Sequence, residues 1–315
     1  MLGIFLFVFA VTVAVVLLSF LSYMKAFYNK KGRKKDASVL PKSGPYEATK
    51  DKVKPLMEEM KNIEWEEVFI DSRDGLRLFG RYHHVSDDAP LQIQFHGYKG
   101  TAYRDFCGGN KLAREMGHNT LVVDQRAHGE SEGHTISFGI KERFDCLDWI
   151  DYANRRFGED KIIIISGLSM GASTVIMAAN ELLPKNVRAI IADCPYSSPK
   201  DIIMKVCADI GLPPRLSIPF AYLGAKIFGG FDLYECDAVS GAENSKIPIL
   251  IIHGEGDDFV PPEMSLKIAQ ANPQMVKYVT FPEAGHGLCY IKDEKRYACE
   301  LRDFINGVIN ENARL

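Results

Sequence analysis

The chain contains no C-x-x-C pair, and its seven cysteines fall at irregular spacing. That argues against a zinc ribbon and against a disulfide framework, which needs an even set at ordered positions. Scattered, unpaired thiols fit a reducing compartment. Basic charge is not in excess either: 38 Lys and Arg stand against 41 Asp and Glu, so no extended face for nucleic acid is implied. Internal repeats, metal-ligand spacings and nucleotide-binding motifs are missing, and neither a metal nor a cofactor is expected. What is present is the 46% hydrophobic, 25% charged composition of an ordinary globular protein, in 315 residues that suffice for one large domain and an appendage.

A different absence marks the appendage. From Leu2 to Met24 no side chain is charged, and Leu, Val, Phe and Ile dominate. As a helix this stretch rises roughly 34 Å, enough to cross a bilayer core with some tilt. It lacks the basic start, short apolar core and small-residue cleavage site of a signal peptide, and a helix apolar all round is rarely a core helix at this position. An uncleaved membrane anchor over residues 1–24 is expected. Lys25, Lys30, Lys31, Arg33, Lys34 and Lys35 follow it, and the positive-inside rule places that side in the cytoplasm. Residues 25–60 read as a basic juxtamembrane segment and linker, with a short polar helix that Pro55 interrupts or begins.

From residue 61 the texture changes to short apolar runs alternating with helical patterns. Strands are predicted over 66–70, 77–83, 91–95, 120–123, 161–165, 187–192, 249–252 and 277–281, the first two flanking the turn signal DSRDG. Helices are predicted over 106–116, 140–157, 172–183, 263–271 and 292–310. Continuous apolar strands such as IIII and ILII suit a mostly parallel sheet covered on both faces, an α/β architecture of about eight strands with an antiparallel leading hairpin. Residues 199–246 are too long for a plain crossover and read as a small helical lid. Its Ile202, Ile203, Phe220 and Tyr222 either wall a pocket or form the lid's own core.

Two segments fit G-x-S-x-G: GESEG at 129–133 and GLSMG at 167–171. A nucleophile elbow needs a sharp turn straight out of a buried strand and into a helix, with small residues two positions either side. Ser169 has that setting, since KIIIIS precedes it and ASTVIMAANELL follows. Ser131 follows a polar loop, no apolar helix begins after it, and Glu130 and Glu132 would oppose a negative intermediate. Ser169 is therefore the candidate nucleophile. Its partners follow in the order acid, then histidine: Asp257 just past the strand ILII, with Asp258 the alternative, and His286 in the loop EAGHG. Backbone donors for an oxyanion are expected from Met170, after the nucleophile, and Tyr98, in the loop FHGYKG. His96 reads as a residue shaping that loop.

With these positions placed, the sequence resembles the α/β-hydrolase superfamily. It is most similar to the bacterial hydrolases grouped with serine aminopeptidases, monoacylglycerol lipases and dienelactone hydrolases. The motifs HGYKG, DQRAHGESEG, GLSMGAS, ADCPYSS, HGEGDDFVPP and EAGHG carry the resemblance, which runs from about residue 65 to the C-terminus. It implies an α/β-hydrolase catalytic domain over 61–315, a triad of Ser169, Asp257 and His286, and a purely structural loop around Ser131. The expected activity is cleavage of a small-molecule or lipid ester at a membrane. Alternatives on the same fold are a non-catalytic scaffold and cofactor-free haloperoxidase or perhydrolase chemistry.

Overall fold

The structure, a computed structural model, describes residues 1–30 and 45–312. Lys31, Arg33, Lys34 and Lys35 of the basic run lie outside the described residues.

Eight strands form one sheet among the described residues: β1 (Glu66–Asp71), β2 (Arg77–His83), β3 (Leu91–Phe95), β4 (Asn119–Asp124), β5 (Ile163–Leu168), β6 (Val187–Asp193), β7 (Ile249–Gly254) and β8 (Val276–Phe281). Their spatial order is β1-β2-β4-β3-β5-β6-β7-β8. The β1–β2 and β2–β4 pairs are antiparallel, and every pair from β4 through β3 to β8 is parallel. The reason is visible in the apolar runs. Ile163 and Ile165 enter one hydrophobic core and Ile164 the other, just as Ile249 and Ile251 oppose Leu250 and Ile252. A strand apolar on both faces is stable only between two layers of helix.

Those layers come from the connections. In chain order the helices are α1 (Leu2–Ala26), α2 (Pro45–Lys61), α3 (Ala102–Asp105), α4 (Cys107–Glu115), α5 (Glu142–Phe157), α6 (Met170–Met177), α7 (Pro199–Asp209), α8 (Pro214–Gly224), α9 (Ala238–Asn244), α10 (Pro262–Ala271), α11 (Cys289–Lys292) and α12 (Glu294–Asn312). Helix α7 is started by Ser198, whose side chain accepts from the Asp201 N–H, with Pro199 in the first turn where its missing N–H costs nothing. The segment between β6 and β7 is thus helical, as expected, but Ile202 and Ile203 are buried in the main core and are not free to wall a pocket.

Two N-terminal features differ from expectation in their reach. Helix α2 runs through Pro55 without a break and buries Val53, Met57 and Met60 against Ala102, Phe106 and Cys107. That i, i+4, i+7 stripe holds it on the domain despite the lost backbone bond. Helix α1 is not a detached rod. Ser19, Tyr23 and Phe27 are buried, the Ile136 N–H donates to the Phe27 carbonyl at 2.7 Å, and the Tyr23 hydroxyl meets Thr135 Oγ1 at 2.8 Å.

Candidate active site

Strand β5 delivers Ser169 at its carboxyl end, and the chain turns there so sharply that Ser169 adopts φ 56°, ψ −115°. The flanking glycines are obligatory for that turn. A Cβ on Gly171 would lie 1.8 Å from the Phe95 carbonyl oxygen, and one on Gly167 would lie 2.2 Å from the Gly171 backbone. No rotamer relieves a clash with backbone. The Ser169 N–H donates to the Asp193 carbonyl at 2.8 Å, which pins the elbow to the end of β6.

The candidate acid comes from the end of β7. Asp257 is buried, and its Oδ1 accepts from the N–H groups of Phe259 and Val260 at 3.0 and 2.8 Å. Its Oδ2 lies 2.7 Å from His286 Nδ1 and 3.2 Å from His253 Nε2. Burial by itself would raise the pKa of this carboxyl, but the hydrogen bonds from His253 and His286 outweigh it and hold the group well below the ordinary carboxylate range. It is therefore ionised and accepts the proton on His286 Nδ1. That fixes the tautomer and leaves Nε2 as an acceptor, 2.9 Å from Ser169 Oγ. Asp258, the alternative acid, is exposed and makes no contact with His286; its carbonyl accepts from Lys205 Nζ instead.

On the other side of Ser169 lies the loop after β3. Among the described residues neither the Tyr98 nor the Met170 N–H donates a hydrogen bond within the chain. Met170 opens α6, where free N–H groups and the helix dipole favour negative charge. The loop is held by groups around it. The Gly97 N–H donates to Asp105 Oδ2 at 2.8 Å, and the Lys99 N–H to His128 Nε2 at 3.0 Å. His96 is fully buried. Its Nδ1 donates to the Gly97 carbonyl at 2.8 Å and its Nε2 accepts from the Gln125 N–H at 3.1 Å, so it is a neutral loop-shaping imidazole. Burial depresses its pKa, and pushes that of His128 down to about 3.

The second G-x-S-x-G segment is spent on structure. Ser131 is buried, its Oγ accepts from the Phe79 N–H at 2.8 Å and donates to the Asp124 carbonyl at 2.5 Å. Gly129 and Gly133 have φ of 50° and 97°, so their role is turn geometry.

Sequence reasoning missed three neighbours of the site. Phe259 presents its ring edge-on to His286, centroids 5.0 Å apart. Asp193, beneath the elbow, is pushed up to about 6 by burial, against the hydrogen bond from Tyr297. Cys194 Sγ lies 4.0 Å from His286 Nε2. Both Asp193 and Cys194 sit at the carboxyl end of β6, a position the ligand-at-the-strand-ends rule already marks. Cys194, Asp257 and His286 have metal-like spacing, their donor atoms all within 4.8 Å. Burial keeps the Cys194 thiol protonated, however, and both imidazole nitrogens are already engaged, which suits proton transfer rather than metal ligation.

Comparisons with known proteins agree with this geometry in fold. Residues 93–213 match the family model for the alpha/beta hydrolase fold. The chain is similar to the Bacillus subtilis protein YqkD, 25% identical over 62% of this chain and 65% of that one. It is also similar to the rat lysophosphatidylserine lipase ABHD12, 24% identical over 58% of this chain but only 46% of the lipase. The chain thus matches less than two thirds of the length of either relative. Among solved structures, the Pyrococcus furiosus esterase Pf2001 superposes with a TM-score of 0.66 at 20% identity, covering 90% of this chain and 98% of the esterase.

Proposed function

We propose that this chain, which has the alpha/beta hydrolase fold and matches that family model over residues 93–213, is a membrane-tethered serine hydrolase that cleaves a carboxylic ester through an acyl-enzyme. The observation that carries the reading is the single imidazole of His286, 2.7 Å from Asp257 on one nitrogen and 2.9 Å from Ser169 on the other. A serine hydroxyl attacks a carbonyl only when a base takes its proton in the same step. Here Ser169 Oγ forms the bond to the acyl carbon while its proton passes to His286 Nε2, and Asp257 stabilises the resulting imidazolium. The N–H groups of Tyr98 and Met170 receive the oxyanion. Collapse expels the alcohol, which takes the proton from His286; water then repeats the sequence and frees the acid.

A lipid ester is the substrate class that suits an anchor carried on the same body, and the names of relatives such as the rat lipase point the same way. The catalytic domain lies on the cytoplasmic side, because Lys25 and Lys30, with Lys31, Arg33, Lys34 and Lys35 further on, follow the uncharged stretch. The function is tested on purified full-length protein with a graded panel of p-nitrophenyl acyl esters and aminoacyl arylamides. Ester turnover with fluorophosphonate capture at Ser169 supports the reading; no turnover and no labelling refute it. Topology is tested by protease added to intact protoplasts, which should leave the domain whole until lysis.

A further inference from the structure

The stretch from Ile210 to Ala225, IGLPPRLSIPFAYLGA, carries one charged side chain, Arg215. Most of it is α8, and several of its apolar side chains face outward: Ile210 is 56% exposed, Leu212 48% and Leu216 68%, with Ile227 just beyond at 56%. These residues are not scattered over the domain. Helix α8 lies against α1 at a small-residue contact, where a Cβ on Gly224 would come 2.5 Å from the Ser19 carbonyl oxygen. Further along, the Phe228 ring meets Phe20 at 5.2 Å and the Phe231 ring meets Phe27 at 5.3 Å. Gly224 thus meets Ser19 and Tyr23, Phe228 meets Phe20 and Tyr23, and Phe231 meets Phe27, so the contacts advance along both segments together. The two segments run side by side in one direction, and going back along α8 leads toward the exposed N-terminal half of α1. Val15 is the one residue of 1–18 that is partly covered, which marks how far the contact reaches.

Length then sets depth. A bilayer core of about 30 Å takes roughly 20 helical residues, so the uncharged stretch must lie in hydrocarbon almost up to Lys25. Ser19 is six residues before Lys25, roughly 9 Å along the axis. Gly224 is level with Ser19, and Leu216, two turns earlier in α8, is deeper still.

The geometry points to α8 as a second membrane element, its Leu212–Leu216 face seated in the same leaflet as the C-terminal half of α1. The occupant of this apolar face is the acyl region of a lipid bilayer. The site follows it to the interface. The Ala26 carbonyl accepts from the Tyr98 hydroxyl at 2.8 Å, and Tyr98 follows Gly97, whose Cβ position is 3.3 Å from that of Ser169. Ester enters from the lipid phase alongside α8. This last step rests on the hydrolase reading; the docking does not.

Full-length protein is reconstituted in phosphatidylcholine vesicles with or without brominated acyl chains. Leu216→Trp adds emission that brominated lipid quenches, whereas Leu182→Trp, at a 99% exposed position ahead of the amino end of β6, adds emission that it does not. Equal insensitivity of both, or failure of the chain to float with vesicles, overturns the docking. In a second arm Leu212→Asp with Leu216→Asp lowers turnover of a vesicle-borne long-chain ester at least about ten-fold, since each aspartate at hydrocarbon depth is strongly excluded. Turnover of a soluble short-chain ester stays within about two-fold, because neither side chain touches the triad. Equal loss on both substrates overturns entry from the bilayer. If neither substrate is turned over, the hydrolase reading fails and the quenching still decides the docking.

Discussion

The two serines in G-x-S-x-G settings should respond to truncation in opposite ways. Ser131→Ala removes a buried hydroxyl that accepts from the Phe79 N–H and donates to the Asp124 carbonyl. Ser131 is only 1% exposed, so its removal leaves the strand amide buried without its partner. An unsatisfied buried donor costs about 1–3 kcal/mol. A folded unit of this size loses about 2–4 °C in melting temperature per kcal/mol, so a drop of about 2–12 °C is expected with kcat unchanged. Ser169→Ala should do the reverse. Its hydroxyl faces His286, whose side chain is partly open to solvent, and its positive φ is no worse for Ala than for Ser, so stability changes by less than about 1 kcal/mol. Turnover falls by up to about 10⁶-fold, with a residue left by the oxyanion donors, and fluorophosphonate labelling disappears. The assay is a pair of measurements on each variant, a melting curve and an esterase progress curve. A Ser131→Ala protein that melts normally but is dead, beside a Ser169→Ala protein that turns over, would refute the reasoning.

Asp257→Asn should lower kcat by about 10⁴, because the amide favours the wrong imidazole tautomer, while Asp258→Asn stays within about two-fold; the opposite ranking moves the acid by one residue. Tyr98→Phe removes the bond to the Ala26 carbonyl and should cost about 1 kcal/mol, with kcat lowered more than KM changes, if that bond holds the oxyanion loop in place. His118 is buried and its pKa is lowered from 6.5 to about 4 by burial. The unfolded chain therefore binds the proton first as pH falls, and stability present above 6.5 is lost on the way down to about 4, on the order of 3 kcal/mol from this group. Asp193 opposes it: its pKa is raised to about 6, so its contribution is present at low pH and lost as pH rises through that value. Melting curves between about pH 7 and pH 4.5 should show His118→Gln losing less stability than the parent; parallel losses would dismiss the assignment.

The sheet was legible because its signal is local. An apolar run bounded by turn residues states a strand, and the strict alternation of Ile163, Ile164 and Ile165 between two cores states that both faces are covered. The positions of Ser169, Asp257 and His286 follow from the same logic, since each stands where a predicted strand ends, and the structure brings their side chains within hydrogen-bonding distance. Boundaries drifted at several ends: α6 begins at Met170, two residues before the apolar pattern shows it, because the elbow itself starts the helix. It stops at Met177, short of the expected 183, and β5 runs Ile163–Leu168 where 161–165 was expected. Helix α2 escaped notice as a packed element because Val53, Met57 and Met60 are a thin stripe among charges, and Pro55 argued for a break.

What stayed illegible is what the apolar helix does at its inner end. A segment hydrophobic on all sides has no periodicity, so nothing in Leu2–Met24 distinguishes Ser19 and Tyr23, which are buried in protein, from Leu17 and Leu21, which are exposed. The distinction is made by partners distant in sequence: Gly224 admits the helix backbone, Thr135 takes the Tyr23 hydroxyl, and Tyr98 takes the carbonyl of Ala26. Each is ordinary in isolation. Together they tie one helix to α8, to the loop after β4 and to the loop beside Ser169, so the uncharged helix also braces the loop that neighbours that serine. A tether joined only through a flexible linker could be exchanged for any other anchor. Replacing residues 2–18 with an unrelated apolar helix should therefore preserve activity, whereas replacing 19–29 should lower both melting temperature and kcat even in detergent, where no bilayer is present. Equal tolerance of the two exchanges would show that the inner turns of α1 merely rest on the domain.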